Sequence, residues 1–228
     1  MIIHIAGASG SGKTTLGNKL KTYYGNKIVI KDLDELLWND YIPMKDKSNI
    51  SASDFFKNFE EDYQKYIDDF IKENKKMNII FVGINTFIQG EKQHFKGLDE
   101  EFPTVMFDLH ADYKYYIDIP IDQIVKQKFN REISHFCDDK DRMFNNLLEN
   151  QNRTQKNIIN NITHQTDIAN IKKQTEKWNK FYKEKGYIFL SQDDIYKKII
   201  EIIKINKQDG GYYNKYIKYK IKYLQLCE

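Results

Sequence analysis

Apolar residues along the chain alternate between short unbroken runs and longer stretches with a helical period. Ile2-Ile3-His4-Ile5-Ala6 reads as a buried strand entering a glycine-rich turn. Residues 14–24 then read as a helix stopped by Gly25 just past its end. Lys27-Ile28-Val29-Ile30 predicts a second strand, which runs into Lys31-Asp32-Leu33-Asp34-Glu35. Ser51 or Ser53 can cap the next helix, whose stripe of Phe55, Phe56, Phe59, Tyr63, Tyr66, Ile67, Phe70 and Ile71 keeps the 3.6-residue period. Residues 78–83 predict a third strand and residues 115–119 a fourth, stopped by Pro120; Val105-Met106-Phe107 between them fits no element. Helical patterning resumes at Asp122 and continues, with breaks, to Lys185. Gly186 ends it, and residues 187–190 predict a fifth strand. Ile195, Ile199, Ile200 and Ile203 mark one face of a last helix, capped by Ser191 or Asp193. Strands that alternate with helices predict a parallel sheet covered on both faces, with right-handed crossovers.

A chain of 228 residues has room for one domain plus an appendage, and its 14% aromatic content supplies bulky core material. No apolar run approaches the roughly 18–20 residues that span a bilayer. The first strand follows the initial Met directly, so no signal or transit peptide is expected. Cys137 and Cys227 are far apart and show no partner pattern, which fits a reducing, cytoplasmic setting and no cysteine-based zinc site. His4 alternates with Ile3 and Ile5 and reads as a core histidine; the other four histidines lack metal spacing. The net charge of +3 is carried by residues 205–228, and the body balances to zero. The chain has three arginines, Arg131, Arg142 and Arg153, all within 23 residues. Such a cluster either reflects chance or marks a segment that needs guanidinium forks around phosphate oxygens.

Gly7-Ala8-Ser9-Gly10-Ser11-Gly12-Lys13-Thr14 matches G-x-x-x-x-G-K-[ST] at every fixed position, after a strand and opening a helix, with Thr15 next. Its glycines let successive N–H groups point inward at the positive end of a helix dipole. Lys13 then sets a point charge on the β- and γ-phosphates of ATP, and the Thr14 hydroxyl can ligate Mg²⁺. A glycine turn that merely starts a helix would not explain Lys13 and Thr14 together. Asp32 and Asp34 lie two apart at the carboxyl end of the second strand, where open parallel sheets bind ligands. If the chain stays extended, both carboxylates share one face, about 6–7 Å apart. Asp32 would then serve Mg²⁺ and Asp34 would take a proton from an attacking hydroxyl, although Asp34 can equally cap a helix beginning at Glu35. Trp38 and Tyr41 can line an acceptor pocket or pack in the core, and Asp108 and Asp112 flank the fourth strand as solvated residues. No Asp is followed three residues later by Gly, which argues against a GTP switch, and Asn206-Lys207-Gln208-Asp209 follows a helix and reads as coincidence.

The run IAGASGSGKTTLGNKL resembles the P-loop of the nucleoside and nucleotide kinase superfamily, uridine-kinase-like members especially, and KDLDEL resembles the D-x-D element of shikimate- and gluconate-kinase-like enzymes. The resemblance implies a three-layer α/β/α P-loop fold over residues 1–205, with a five-stranded parallel sheet in the order 2-3-1-4-5. It also implies a helical lid over about residues 121–165 whose arginines close on phosphates. Arg131 matches the lid best, as a catalytic charge, with Arg142 and Arg153 behind it. Gly83 would lie where substrate passes the third strand, and residues 191–193 would approach an adenine base. The R-x-x-R-D lid pattern is reduced here to Phe129-Asn130-Arg131-Glu132, and no acceptor signature is present.

Residues 206–228 form a tail in which Tyr212, Tyr216, Tyr219 and Tyr223 recur at helical spacing among Lys215, Lys218, Lys220 and Lys222. A basic amphipathic helix of this kind suits an anionic surface, a partner groove or nucleic acid, or packs on the body. Its YYNKYIKYKIKYLQL sequence resembles Tyr/Lys-rich termini on proteins of giant amoeba-infecting DNA viruses, which implies a virus-encoded enzyme. The sequence therefore points to an ATP- and Mg²⁺-dependent kinase of a small acceptor, a nucleoside or nucleotide first. The alternatives are a polynucleotide 5′-hydroxyl kinase and a nucleotide-binding viral protein without catalysis. Salt-sensitive binding of single-stranded oligonucleotide, lost when residues 209–228 are deleted, is the expected behaviour of the polynucleotide kinase alone; retention after deletion counts against it.

Overall fold

A computed structural model describes residues 1–46, 52–83, 109–138, 160, 162–164 and 166–204. The chain divides into two compact units, Met1–Leu190 and Ser191–Glu228. In the first unit, strands β1 (Ile2–Gly7), β2 (Ile28–Asp32), β3 (Asn78–Val82), β4 (Tyr113–Ile117) and β5 (Ile188–Leu190) form one sheet in the order β2-β3-β1-β4-β5. Every pairing is parallel, with Ile5 opposite Val82 on one side and opposite Tyr115 on the other. This is the expected α/β architecture. Parallel strands need long crossovers, and the helices between them close both faces.

Helix α1 (Lys13–Tyr24) covers one face through Leu16 and Leu20, both fully buried. Gly17 lets the helix approach closely: a Cβ there would lie 3.4 Å from both Ile30 and Val82. Chain reversal after α1 uses Gly25 at φ 57°, as the sequence predicts. The chain after β2 forms α2, an α-helical turn at Leu33–Glu35, a π-helical stretch at Leu36–Tyr41 and a short α-helix at Ile42–Asp46. Helix α3 (Ala52–Glu73) covers the opposite face, where Phe59, Tyr63 and Ile67 pack against Ile79, Phe81, Leu36 and Tyr41. Ser51 lies outside the described residues.

Helices α4 (Ile121–Asp138) and α5 (Ile168–Glu184) follow β4, and Tyr182 of α5 packs on Ala6, Tyr116 and Tyr187. Strand β4 begins and ends two residues earlier than the apolar run suggested, because its register is set by pairing to β1. Asp112 is exposed but not simply solvated: its Oδ2 accepts the Ile2 N–H at 2.7 Å, and its own N–H donates to the Ile2 carbonyl. His4 is a core histidine as expected, bonded through Nδ1 to the Tyr187 hydroxyl. In the second unit, a helix over 192–204 is capped by Ser191, whose Oγ accepts the Asp194 N–H and donates to the Asp194 carboxylate. Residues 105–107, Asp108 and the tail from 205 lie outside the described residues. No described helix is long and apolar enough to cross a membrane.

Ile67 is 0% exposed at the centre of the α3 contact. Ile67→Ala is expected to cost about 2–5 kcal/mol, read by urea unfolding; a cost below about 1 kcal/mol would show that α3 does not close this face.

Candidate functional site

The turn between β1 and α1 is built from two residues held in the left-handed region, Gly10 at φ 83° and Gly12 at φ 86°. Glycine alone takes those angles without strain. The Ser11 N–H donates to the Ala8 carbonyl at 3.0 Å and closes the loop. At its base Gly7 leaves room for Ser11, since a Cβ there would lie 2.5 Å from Ser11 Oγ and force that hydroxyl to shift. That oxygen is buried and has no hydrogen-bond partner among the described residues.

Lys13 turns back into the loop, where its ammonium donates to the Gly7 carbonyl at 2.9 Å and the Ala8 carbonyl at 3.0 Å. Burial lowers its pKa from 10.5 to about 8; Asp34 and Asp32 oppose the shift, while Arg131 and Lys128 add to it. Lys13 thus stands in a ring of charges of both signs drawn from three segments of the chain.

Asp32 ends β2 and caps α2: its Oδ1 accepts the Asp34 N–H at 2.9 Å. The cap is therefore Asp32, not Asp34. The chain does not stay extended beyond Asp32 but turns helical at Leu33, so the two carboxylates are not related as neighbours on one strand face. They remain together because the turn is tight. Asp32 Oδ2 accepts from the Thr14 hydroxyl at 3.3 Å, joining the end of the second strand to the start of α1. Asp34 is exposed, yet its carboxyl is held above the ordinary Asp value, first by partial desolvation and then by the Asp32 charge, against the pull of Lys13.

Two neighbours hold this turn. Gly83, at φ 132°, brings β3 so close that a Cβ would lie 3.0 Å from Leu33 Cβ and 3.4 Å from Asp32 Oδ1. On the other side, the buried Tyr63 hydroxyl donates to the Leu33 carbonyl at 3.4 Å. The close approach at Gly83 is thus to the protein's own D-x-D turn. Tyr41 packs edge-on against Phe59 and Tyr63 and is 1% exposed, which places it in the core rather than in an acceptor pocket. Nothing is described of the Trp38 side chain.

Helix α4 carries Arg131 to the loop from the far side, where Nη1 donates to Ser9 Oγ at 3.5 Å. Gly7 to Thr15, Asp32, Asp34 and Arg131 are therefore brought to one end of the sheet. Arg142 and Arg153 lie outside the described residues. Sequence reasoning missed Lys128, one turn before Arg131, and the clamp at Tyr63. The first sat inside a helical pattern with many lysines, and the second inside an apolar stripe.

No protein-family model matches the chain, and no curated protein matches it. Among solved structures, a shikimate kinase from Acinetobacter baumannii in complex with shikimate is similar, at 18% sequence identity and a TM-score of 0.38 over 90% of this chain and 94% of that one.

A carboxyl whose folded pKa is raised resists ionisation in the folded state. It subtracts nothing from stability below the ordinary Asp value near 3.8 and subtracts progressively as pH rises from there through the raised value. Asp34→Asn is therefore expected to raise the midpoint of thermal unfolding of the ligand-free protein at pH 7.5, with the gain shrinking towards pH 4. A lower midpoint at pH 7.5 would mean that Asp34 supports the fold rather than being held against it.

Proposed function

We propose that the chain is an ATP- and Mg²⁺-dependent phosphotransferase that moves the γ-phosphoryl group to a small acceptor, a nucleoside or nucleotide being the preferred class. The observation that carries the reading is the joining of three separate features at one sheet end. These are a loop with two left-handed glycines, a lysine ammonium turned into that loop, and a carboxylate at the end of β2 bonded to the threonine that follows that lysine. A structural turn alone gives no reason for a part-buried ammonium to sit among carbonyls and opposed carboxylates.

The residues present fit such ligands. The loop has a buried hydroxyl at Ser11 without a partner among the described residues, and no Cβ at Gly10 or Gly12. Thr14 and Asp32 supply hard oxygen donors of the kind Mg²⁺ prefers and would hold the ion. The chemistry such an ion would supply is positive charge to the phosphate oxygens. Gly7 to Thr15 would cradle the phosphates, and Lys13 would leave the Gly7 and Ala8 carbonyls for phosphate oxygens, which return it to a firmly charged state. Asp34, whose carboxyl is held above the ordinary Asp value, would accept the proton of the attacking hydroxyl, and Arg131 would balance charge at the transferred group, with Arg142 as a further phosphate contact. Catalysis of this type rests on position and charge rather than on a covalent intermediate. The lid boundaries, the adenine contacts and a viral origin belong to the same reading and rest on the sequence resemblance, and a cytoplasmic setting rests on the spacing of Cys137 and Cys227.

Incubation with ATP, Mg²⁺ and a panel of nucleosides, nucleotides and small hydroxylated metabolites, read by mass spectrometry, is expected to give one class of phosphorylated product. Lys13→Ala should lower turnover at least about 10²–10³-fold while the unfolding midpoint stays within a few degrees of wild type. Turnover at the wild-type level in that variant, or nucleotide binding without product across the whole panel, would count against a kinase.

A further inference from the structure

The peptide that joins Leu33 to Asp34 lies between the two carboxylates of the turn, and both of its polar groups are held. Its N–H, carried by Asp34, donates to Asp32 Oδ1 at 2.9 Å. Its carbonyl, carried by Leu33, accepts the Tyr63 hydroxyl at 3.4 Å and also the Leu36 N–H that closes α2. A trans peptide is planar, and its N–H and C=O point to opposite sides. Tyr63 and Asp32 therefore grip one plane from its two edges. The second oxygen of Asp32 takes the Thr14 hydroxyl at 3.3 Å. A line of hydrogen bonds thus runs from α3 through the turn to the start of α1. A peptide that accepts at its oxygen becomes a better donor at its nitrogen, so the links support one another.

The Tyr63 ring is well placed to fix that plane. It is buried, stacked on Phe59 with centroids 5.4 Å apart and met edge-on by Tyr41 at 5.1 Å. Gly83 closes the other side, since a Cβ there would lie 3.1 Å from the Leu33 nitrogen. Burial, and after it the charge of Asp34, push the Tyr63 pKa well above the ordinary tyrosine value, so the hydroxyl keeps its proton and stays a donor. A phenylalanine would fill the same ring space without taking a hydroxyl out of water. What tyrosine adds here is a donor to the plane that orients Asp32. The bond is long and contributes little to overall stability; it supplies direction.

We propose that Tyr63 is a positioning residue for the metal side of the site. Acting through the Leu33–Asp34 peptide, its hydroxyl sets the Asp32 carboxylate so that Asp32 and Thr14 present their oxygens together to a divalent cation. The inference rests on the reading of Asp32 and Thr14 as Mg²⁺ donors, and it gives Tyr63 no contact with nucleotide or metal.

Tyr63→Phe keeps the ring and removes the donor. Two measurements on the full chain read its effect: amide-proton exchange by NMR in the ligand-free protein, and calorimetric titration with ATP in the presence and absence of Mg²⁺. The Asp34 amide is expected to exchange about 3- to 10-fold faster in the variant. The Ile5 and Val82 amides of the sheet should keep their rates, and the unfolding midpoint should stay within a few degrees. ATP affinity without Mg²⁺ is expected to stay within about two-fold of wild type, while the gain brought by Mg²⁺ shrinks about 3- to 10-fold. In an Asp32→Ala background, Tyr63→Phe should change the Mg²⁺ gain no further. An Asp34 amide that exchanges at the wild-type rate, or an undiminished Mg²⁺ gain, would overturn the inference and leave the phosphate loop as proposed. Faster exchange spread evenly over Ile5, Val82 and Asp34, with a lower midpoint, would make Tyr63 a structural residue and overturn it equally. A wild-type chain that binds no ATP, or binds it without regard to Mg²⁺, would refute the ligand reading and the metal role with it; the Asp34 amide would then decide by itself whether Tyr63 holds the turn.

Discussion

The arrangement depends on the Lys13 ammonium held inside a loop of its own backbone. Two carbonyls receive it, two carboxylates attract it, and two further cations repel it. The loop can close around that charge only because Gly10 and Gly12 take left-handed angles and Gly7 leaves room for Ser11. Once the loop is fixed, α1 starts where it does, and its apolar face meets the sheet at Ile30 and Val82 through Gly17. The same few residues thus start the first crossover and form the candidate site.

The second constraint is the turn at Asp32. A strand that ended there without a cap would leave the first N–H groups of α2 without partners. Asp32 bonds the Asp34 N–H with one oxygen and the Thr14 hydroxyl with the other. One side chain thus both starts a helix and ties the end of β2 to the glycine loop. Gly83 and Tyr63 press on Leu33 from either side and keep the turn in place. Below it, Tyr41, Phe59, Tyr63 and Tyr66 form an aromatic layer whose rings meet at 5.1–5.9 Å, a rigid floor under two charged groups.

Charge around the loop comes from elements distant in sequence. Lys13 belongs to α1, Lys128 and Arg131 to α4, and Asp32 and Asp34 to the end of β2. The raised Asp34 and lowered Lys13 pKa values are two results of the same crowding and partial desolvation.

Local patterns in the sequence determined a good deal. The alternation of apolar runs and helical stripes located all five strands, and the spacing of Gly7, Gly12, Lys13 and Thr14 located the loop, because each depends on residues within a few positions of one another. The sheet order rested on the resemblance and agrees with the observed pairing. Only the tertiary structure decided the rest. The ends of β4 were set by pairing with β1, a partner more than a hundred residues away. The role of Asp32 as the cap emerged from the turn at Leu33, which an extended reading of D-x-D hides. Tyr41 joined the core because α3 folded over it, and Lys128 became distinctive only when α4 came down on Gly10. Burial and electrostatic neighbourhood belong to contacts between distant segments, so a chain with many lysines cannot mark in its sequence the one that will be shut away from water.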